Sequence, residues 1–271
     1  MAPMNSSEAA VSAERGSWGS RYRAFMPFGR KIEVKKSKYE IDMCSGSIMD
    51  KLISFSLPLM LSGILQLMFN AVDIIVVGRF SGSEALAAVG STTALISMFT
   101  NLFIGVSLGT SVLTARFYAA GRDQEVSETV HTSIMLALLS GILMVFVGLF
   151  FSRGALELMD TPDDVIDLST LYMKIYFVGM PFFMLYNYGA AVLRAVGDTK
   201  RPLFFLIISG VLNAGLNLFL VVVFHMGVAG VGIATVISQM VSCVLVLICL
   251  YRAESSYQLR LSKLTMKGVY L

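Results

Sequence analysis

Charged residues are scarce in this chain of 271 residues. They make up 14% of the sequence, whereas hydrophobic residues make up 56% and the mean hydropathy is +0.74. A soluble domain usually carries roughly 25% charged residues. The long apolar segments also lack the polar faces, repeating at helical period, that a large soluble helical protein needs. The composition therefore argues against a soluble fold and for an integral membrane protein.

Cysteine and catalytic side chains are equally sparse. The three cysteines, Cys44, Cys243 and Cys249, provide no disulfide framework, and we expect free thiols. The sequence contains no Ser/His/Asp set, no His/Cys metal cluster and no phosphate-binding loop. An intramembrane aspartyl protease would need Asp in two different spans, and only one such Asp is available. These absences predict a protein that is not an enzyme and that uses no cofactor.

Long apolar segments are what the sequence does contain. Six of them begin near residues 52, 85, 129, 166, 202 and 227, and most are about 22 to 31 residues long. A helix rises about 1.5 Å per residue, so about 20 residues cross the roughly 30 Å hydrocarbon core of a bilayer. The pattern predicts an all-α integral membrane protein built as a bundle of six transmembrane helices.

Basic residues are distributed unevenly between the loops. With six spans, the N-terminal segment, the second and fourth loops and the C-terminal tail share one side of the membrane and hold 18 of the 21 Lys and Arg residues. The positive-inside rule then places both termini in the cytoplasm of a multi-pass plasma-membrane protein. Because the basic excess follows the topology, it does not indicate nucleic-acid binding. Residues 1–46 lack the apolar core of a signal peptide, and we expect a basic cytoplasmic tail that is disordered or surface-lying.

Asp73 is the only acidic residue in the apolar body of any span. An ionised carboxylate at mid-membrane costs roughly 3 kcal/mol, so one that is retained usually marks an ion or proton site. The alternative is a headgroup position, because Asp73 lies five residues before Gly78, a distance of only about 7 Å along a helix. Asn70 and Gln66 occupy the same flank one and two turns earlier, respectively, which favours a functional role for Asp73.

Two asparagines of the fifth span share one helix face. Asn213 and Asn217 are spaced i, i+4. Their side-chain amides can bind a small hard cation or contact Asp73, but they can equally be interhelical hydrogen bonds worth roughly 0.6 kcal/mol each. Thr235 of the sixth span can add a hydroxyl, although a lone membrane threonine more often bonds its own backbone. The residues alone leave these interpretations open.

Proline and glycine mark irregularities and contacts of the helices. Pro58 removes a hydrogen bond from the first span, which predicts a kink that is either fixed or a moving hinge. Pro181 in the fourth span is interpreted in the same way. Gly105 and Gly109 in the second span match the small-xxx-small pattern, which predicts close packing with another helix.

Three segments resemble a known family. Residues 56–90 read SLPLMLSGILQLMFNAVDIIVVGRFSGSEALAAVG and resemble the opening of the multidrug and toxic compound extrusion (MATE) transporters. The end of their second span resembles residues 102–121, LFIGVSLGTSVLTARFYAAG. Their inner loop after the fourth span resembles residues 193–202, LRAVGDTKRP. The resemblance covers about residues 47–252, which we expect to form one six-span lobe.

The resemblance implies one lobe of a transporter with twelve helices, in which two six-helix lobes surround a central cavity. Such transporters export cationic or amphipathic organic compounds in exchange for Na⁺ or H⁺. The family's ion site corresponds here to Asp73, Asn213, Asn217 and Thr235. Pro58 corresponds to the hinge whose kink changes when the Asp is protonated. Many members carry Asp where this chain has Asn217, so the resemblance leaves Na⁺ and H⁺ open as coupling ions, and no other metal is expected.

The tail after the sixth span resembles an interrupted connector. Residues 253–271 are interpreted as the start of a cytoplasmic link to a second lobe, and the chain as a fragment, with pairing of two copies as the alternative. The implied partners are an organic cation, membrane lipid and the second lobe.

Two other functions stay open. A related lipid-linked oligosaccharide flippase should line its cavity with Arg or Lys, which these spans lack in mid-membrane; a non-transporting membrane scaffold or inactive half would share the composition.

Overall fold

A computed structural model of the chain describes residues 48–253 and 255–260. The described residues form seven α-helices: α1 (Ile48–Phe80), α2 (Gly82–Ala119), α3 (Asp123–Glu157), α4 (Asp163–Val178), α5 (Met180–Ala195), α6 (Lys200–Leu218) and α7 (Gly227–Tyr251). A short π-helical segment, Phe219–Val223, continues α6. The interpretations of residues 1–46, of Cys44 and of residues 261–271 concern parts of the chain outside the described residues.

Within the described part of the chain, five helices are individually long and apolar enough to cross a membrane. α4 and α5 reach that length only together, and they meet at a bend of 46°. Counted as one broken span, they bring the number of spans to six. The predicted all-α bundle of six spans is therefore confirmed, and most helices extend a few residues beyond the apolar segments seen in the sequence.

The two span prolines have different effects on their helices. Pro181 has no N–H, and in a continuous helix its ring would clash with the carbonyl four residues earlier. The fourth span accordingly breaks next to it, at Gly179. In contrast, α1 continues without a break through Pro58. The Ser62 hydroxyl donates to the Pro58 carbonyl at 2.8 Å, within the same helix. The irregularity predicted at Pro181 is present as a break, and the hinge role of Pro58 stays a prediction.

The broken span lies at the centre of the bundle. α2, α3 and α7 each pack against both α4 and α5. Ten of the 16 residues of α5 are buried, as expected for a helix surrounded by others. α1 is peripheral: it contacts chiefly α6 and α2, and its buried side chains are confined to Asp73, Val76 and Val77 among those described. One end of α1 is thus anchored in the bundle.

Glycine allows α3 to approach the broken span closely. A Cβ on Gly141 would lie 2.5 Å from the Cα of Pro181. A Cβ on Gly148 would overlap the Cβ and ring of Phe177, which is fully buried. Small residues permit such backbone approach in membranes, where packing rather than hydrophobicity holds helices together. These two contacts fix α3 against both halves of the broken span.

The glycine pair of α2 does not make such a contact. The spacing of Gly105 and Gly109 predicted close helix packing, but a Cβ on either would meet no atom within 4 Å among the described residues. The prediction is therefore wrong within this bundle. The spacing permits a close approach, but it does not determine whether another helix lies on that face.

Candidate functional site

The anchored end of α1 turns Asp73 toward the interior. Asp73 is 8% exposed. Val76 and Val77 follow it by about one turn and join the apolar core that also holds Ala85 and Ala88 of α2. Burial of the two valines therefore fixes the rotation of α1 and with it the direction of the carboxylate. In the described part of the chain, no Lys or Arg forms an ion pair with Asp73, so its charge has no cationic partner there.

Four polar side chains from three helices form one hydrogen-bonded chain. Asn217 of α6 donates from Nδ2 to Oδ1 of Asp73, and the same nitrogen donates to Oδ1 of Asn213 at 3.3 Å. Asn213 in turn donates from Nδ2 to Oγ1 of Thr235 on α7 at 3.4 Å. The Thr235 hydroxyl donates to the Val231 carbonyl at 2.9 Å. The structure thus brings together all four residues that the family resemblance implies as the ion site.

One oxygen atom among these four side chains has no hydrogen-bond partner among the described residues. Asn217 is completely buried, and its Oδ1 accepts no hydrogen bond from the described residues. Both hydrogens of its Nδ2 are engaged, so exchanging the amide nitrogen and oxygen would break two bonds. Leaving a buried polar atom unpaired costs roughly 1–3 kcal/mol. Beside the Asp73 carboxylate, this oxygen is a ligand of the kind that hard cations prefer.

Asp73, Asn213 and Thr235 lie in the wall of a cavity of about 310 Å³ that is lined by residues of α1, α2, α4, α5, α6 and α7. Asp73 is the only charged residue among those described in the wall. Asn217 is not part of the wall, which places it behind Asp73 as seen from the cavity. Hydroxyl and amide groups supply most of the other polar surface: Gln66, Asn70, Thr93, Ser97, Thr100, Asn101, Tyr172, Tyr176, Ser209, Ser238, Gln239 and Ser242. Such a wall suits a ligand with one positive charge and several polar groups.

The hydroxyl-rich face that α2 contributes to the cavity wall was not predicted from the sequence. Its side chains follow the helical period i, i+4, i+7, i+8: Thr93, Ser97, Thr100 and Asn101. That spacing was the available signal. Individually these residues were uninformative, because a hydroxyl in a membrane helix can satisfy itself locally. Thr93 and Thr100 both do so, since each donates to the carbonyl four residues earlier at 2.8 Å.

Phe69 of α1 packs against α6 next to the four hydrogen-bonded side chains. A Cβ on Gly210 would overlap the ring of Phe69, so the ring occupies the space that glycine leaves open. Gly210 precedes Asn213 by three residues, and Phe69 precedes Asp73 by four. The contact between Phe69 and Gly210 is about one helical turn from both Asp73 and Asn213. It therefore sets how closely the Asp73 carboxylate approaches α6.

Gly210→Ala is expected to lower the free energy of unfolding by about 1 kcal/mol, the lower end of the range for overpacking, because the far end of the Phe69 ring can swing aside. The measurement is chemical denaturation of the purified chain in detergent. Gly215→Ala is the matched control on the same helix, since its Cβ would meet no atom within 4 Å. Equal stability of the two variants would show that Phe69 does not need the space at Gly210.

Comparison with known proteins gives a consistent set of matches. The MatE family model matches residues 58–219. The probable multidrug resistance protein YpnP of Bacillus subtilis is 33% identical over 200 residues, which cover 73% of this chain and 44% of YpnP. The probable multidrug resistance protein YoeA of the same organism is 32% identical over 231 residues, or 84% of this chain and 48% of YoeA. The chain therefore spans about half the length of the curated relatives it matches.

A solved structure shares the helical arrangement. The crystal structure of MATE in the bent conformation matches with a TM-score of 0.78 and 23% sequence identity. The match covers 83% of this chain and 50% of that one. At this identity the likeness shows the fold alone, and the fold it shows is the bundle described above.

Proposed function

This chain belongs to the MATE family, whose members are transporters rather than enzymes, and we propose that it is one lobe of a multidrug exporter. The complete transporter is a secondary antiporter that moves cationic or amphipathic organic compounds out in exchange for Na⁺ or H⁺. A second lobe, or a second copy of this one, completes the central cavity, and rocking of one lobe against the other gives alternating access. The double length of the relatives supports this arrangement.

One observation carries the proposal: Asp73 contributes the only charge in the described wall of the cavity. A single carboxylate can be neutralised by a coupling ion or by an organic cation, but it cannot fully neutralise both at once. Binding of one therefore weakens binding of the other, which is the requirement for exchange. A ligand shifts a conformational equilibrium only by its difference in affinity for the two states, and this competition supplies such a difference.

We propose Asp73, Asn213, Asn217 and Thr235 as the ion-coupling residues, with Pro58 as the hinge of α1. The unpartnered Asn217 oxygen supports a role for either ion. With Na⁺, it joins the Asp73 carboxylate and the neighbouring amide and hydroxyl oxygens as a ligand. With H⁺, a protonated Asp73 can donate to it while still accepting from Asn217 Nδ2, which forms an acid–amide pair.

Ethidium transport in proteoliposomes tests the function, with this chain and with the two-lobe protein under imposed Na⁺ and H⁺ gradients in turn. We expect the two-lobe protein to move ethidium under one of the two gradients. Sodium coupling also predicts that Na⁺, but not K⁺, stabilises this chain against unfolding, by about 2.7 kcal/mol at a concentration of 100 times Kd. Proton coupling predicts equal stability in the two salts. A two-lobe protein that moves no ethidium under either gradient would contradict the proposal.

The side chains of the cavity wall argue against the two alternative functions, a lipid-linked oligosaccharide flippase and a non-transporting scaffold. A lipid-linked oligosaccharide carries phosphate groups, and its flippase needs basic side chains in the cavity, whereas the described wall contains no Lys or Arg. A scaffold or inactive half needs no buried carboxylate, and it predicts stability that does not respond to Na⁺ and no effect of an Asp73 substitution beyond an effect on folding. The paired carboxylate and the unpartnered amide oxygen have no role in such a protein.

The multi-pass fold supports a place in the plasma membrane, and we propose that both termini face the cytoplasm. The support is the charge distribution, since 18 of the 21 Lys and Arg residues fall on that side of the six spans. We further propose residues 47–252 as the lobe, residues 1–46 as a basic tail and residues 253–271 as the start of the connector. Substrate and lipid are the remaining partners of this proposal.

A further inference from the structure

The chain folds back on itself after α7. The Gln258 N–H donates to the Ser255 carbonyl at 2.9 Å, and the Leu259 N–H donates to the Leu250 carbonyl at 3.0 Å. The Gln258 side chain donates from Nε2 to the Tyr251 carbonyl at 3.2 Å. The last four carbonyls of a helix have no partner within the helix. Residues 255–260, here called the clasp segment, therefore pair two of these carbonyls, those of Leu250 and Tyr251.

Two large side chains of the clasp segment are buried. Tyr257 is 1% exposed and Leu259 is 3% exposed. They belong to an apolar cluster that also contains Val126 and Val130 of α3 and Leu250 of α7. Connecting segments usually run over the surface with few packed side chains. The clasp segment instead packs as part of the bundle and joins the beginning of α3 to the end of α7.

Two side chains of α3 hold the clasp segment through polar contacts. Asp123 accepts a hydrogen bond at Oδ1 from the Ser256 hydroxyl. His131 is 3% exposed; its Nδ1 lies 2.6 Å from the Ser127 carbonyl, and its Nε2 lies 3.0 Å from the Arg260 nitrogen and 3.1 Å from the Arg260 carbonyl oxygen. A neutral ring with its hydrogen on Nδ1 donates to Ser127 and accepts the Arg260 N–H.

We propose that the clasp segment fixes the point at which the connector to a second lobe leaves this lobe, and that His131 is the positioning residue that holds it. The proposal rests on the proposed function in one respect, the existence of that second lobe. Because the clasp segment contacts both α3 and α7, a pull on the chain at Arg260 is transmitted to both helices. Without the clasp, the same pull acts on the end of α7 alone. His131 does not line the cavity and acts through Arg260.

Hydrogen exchange of single backbone amides tests the contact in this chain alone, without a second lobe or a transport assay. The Arg260 amide is expected to be protected, and His131→Leu is expected to raise its exchange rate at least tenfold. Ser127→Ala is the matched control, because it removes a hydroxyl 3.5 Å from His131 Nδ1 but keeps the carbonyl that orients the ring. Exchange of the unaltered Arg260 amide at the rate of an unstructured peptide, or an unchanged rate in His131→Leu, would overturn the proposal.

A covalent crosslink between the clasp segment and α3 tests whether the position of the clasp segment matters for transport by the two-lobe protein. Asp123→Cys and Ser256→Cys are combined in a background in which Cys44, Cys243 and Cys249 are replaced by Ala, and a disulfide or short thiol reagent joins the pair. We expect His131→Leu to lower ethidium transport at least fivefold and the crosslink to restore it to within twofold of the unaltered protein. Two results would contradict the proposal. One is transport that stays low in the crosslinked His131→Leu protein, and the other is loss of transport when the same crosslink is made in the protein without His131→Leu. If the uncrosslinked protein moves no ethidium at all, the proposed function fails, and the exchange experiment alone decides the clasp.

Discussion

Asp73→Asn is expected to lower ion-driven ethidium transport by the two-lobe protein roughly 100-fold, which corresponds to about 2.7 kcal/mol. Asparagine has nearly the same size as aspartate and can still accept a hydrogen bond from Asn217, so the bundle should fold. It can neither hold a negative charge nor take up a proton, and no other charged residue lines the described cavity wall to replace it. The variant should therefore lose competition between the coupling ion and the organic cation.

The measurement is initial ethidium flux under the gradient that drives the unaltered protein, at equal amounts of folded protein. Asp167→Asn is the matched control, because it removes an exposed carboxylate that pairs with Arg153 at 2.9 Å outside the cavity wall. An exposed ion pair contributes only about 0–1 kcal/mol, so this control should transport normally. Normal flux in Asp73→Asn would show that ion coupling does not depend on this carboxylate.

Hydropathy was enough to predict the six spans, because the thickness of a bilayer sets a minimum apolar length for every segment that crosses it. A single acidic residue within such a segment is also conspicuous, since its cost is high, and Asp73 was found on that basis. The break beside Pro181 could be anticipated from the missing N–H. The uninterrupted course of α1 through Pro58 could not, because a proline's effect on a helix depends on which groups take over the lost hydrogen bond.

Contacts between distant segments account for what sequence reasoning could not reach. His131 lies in the polar first turns of α3, where nothing nearby distinguishes it, and its partner Arg260 is 129 residues away. The pairing of Asn217 with Asp73 spans 144 residues. The spacing showed only that Asn213 and Asn217 share a face, and it was the family resemblance that grouped them with Asp73. The position of α1 decides what that face meets. Spacing within a helix determines which residues are neighbours, whereas tertiary packing determines what they touch.

Gly148→Ala is expected to destabilise the chain by about 3 kcal/mol, the upper end of the range for overpacking, or to prevent its folding. The new methyl group would overlap the Cβ of Phe177, which cannot move unless the backbone of α4 moves with it. Phe177 is fully buried and its ring packs edge-on against Phe99 of α2 at a centroid distance of 5.8 Å. The displacement therefore reaches three helices, including the one that holds Tyr172 and Tyr176 in the cavity wall.

Chemical denaturation of the purified chain in detergent measures this effect, and Gly154→Ala on the same helix is its control. A Cβ on Gly154 would meet no atom within 4 Å among the described residues, so that change should be neutral or stabilise by roughly 0.5–1 kcal/mol, the advantage of alanine over glycine in a helix. The two substitutions make the same chemical change six residues apart on α3. Their stabilities therefore differ only through the neighbouring helix, and equal stabilities would mean that α3 and the broken span do not pack closely at Gly148.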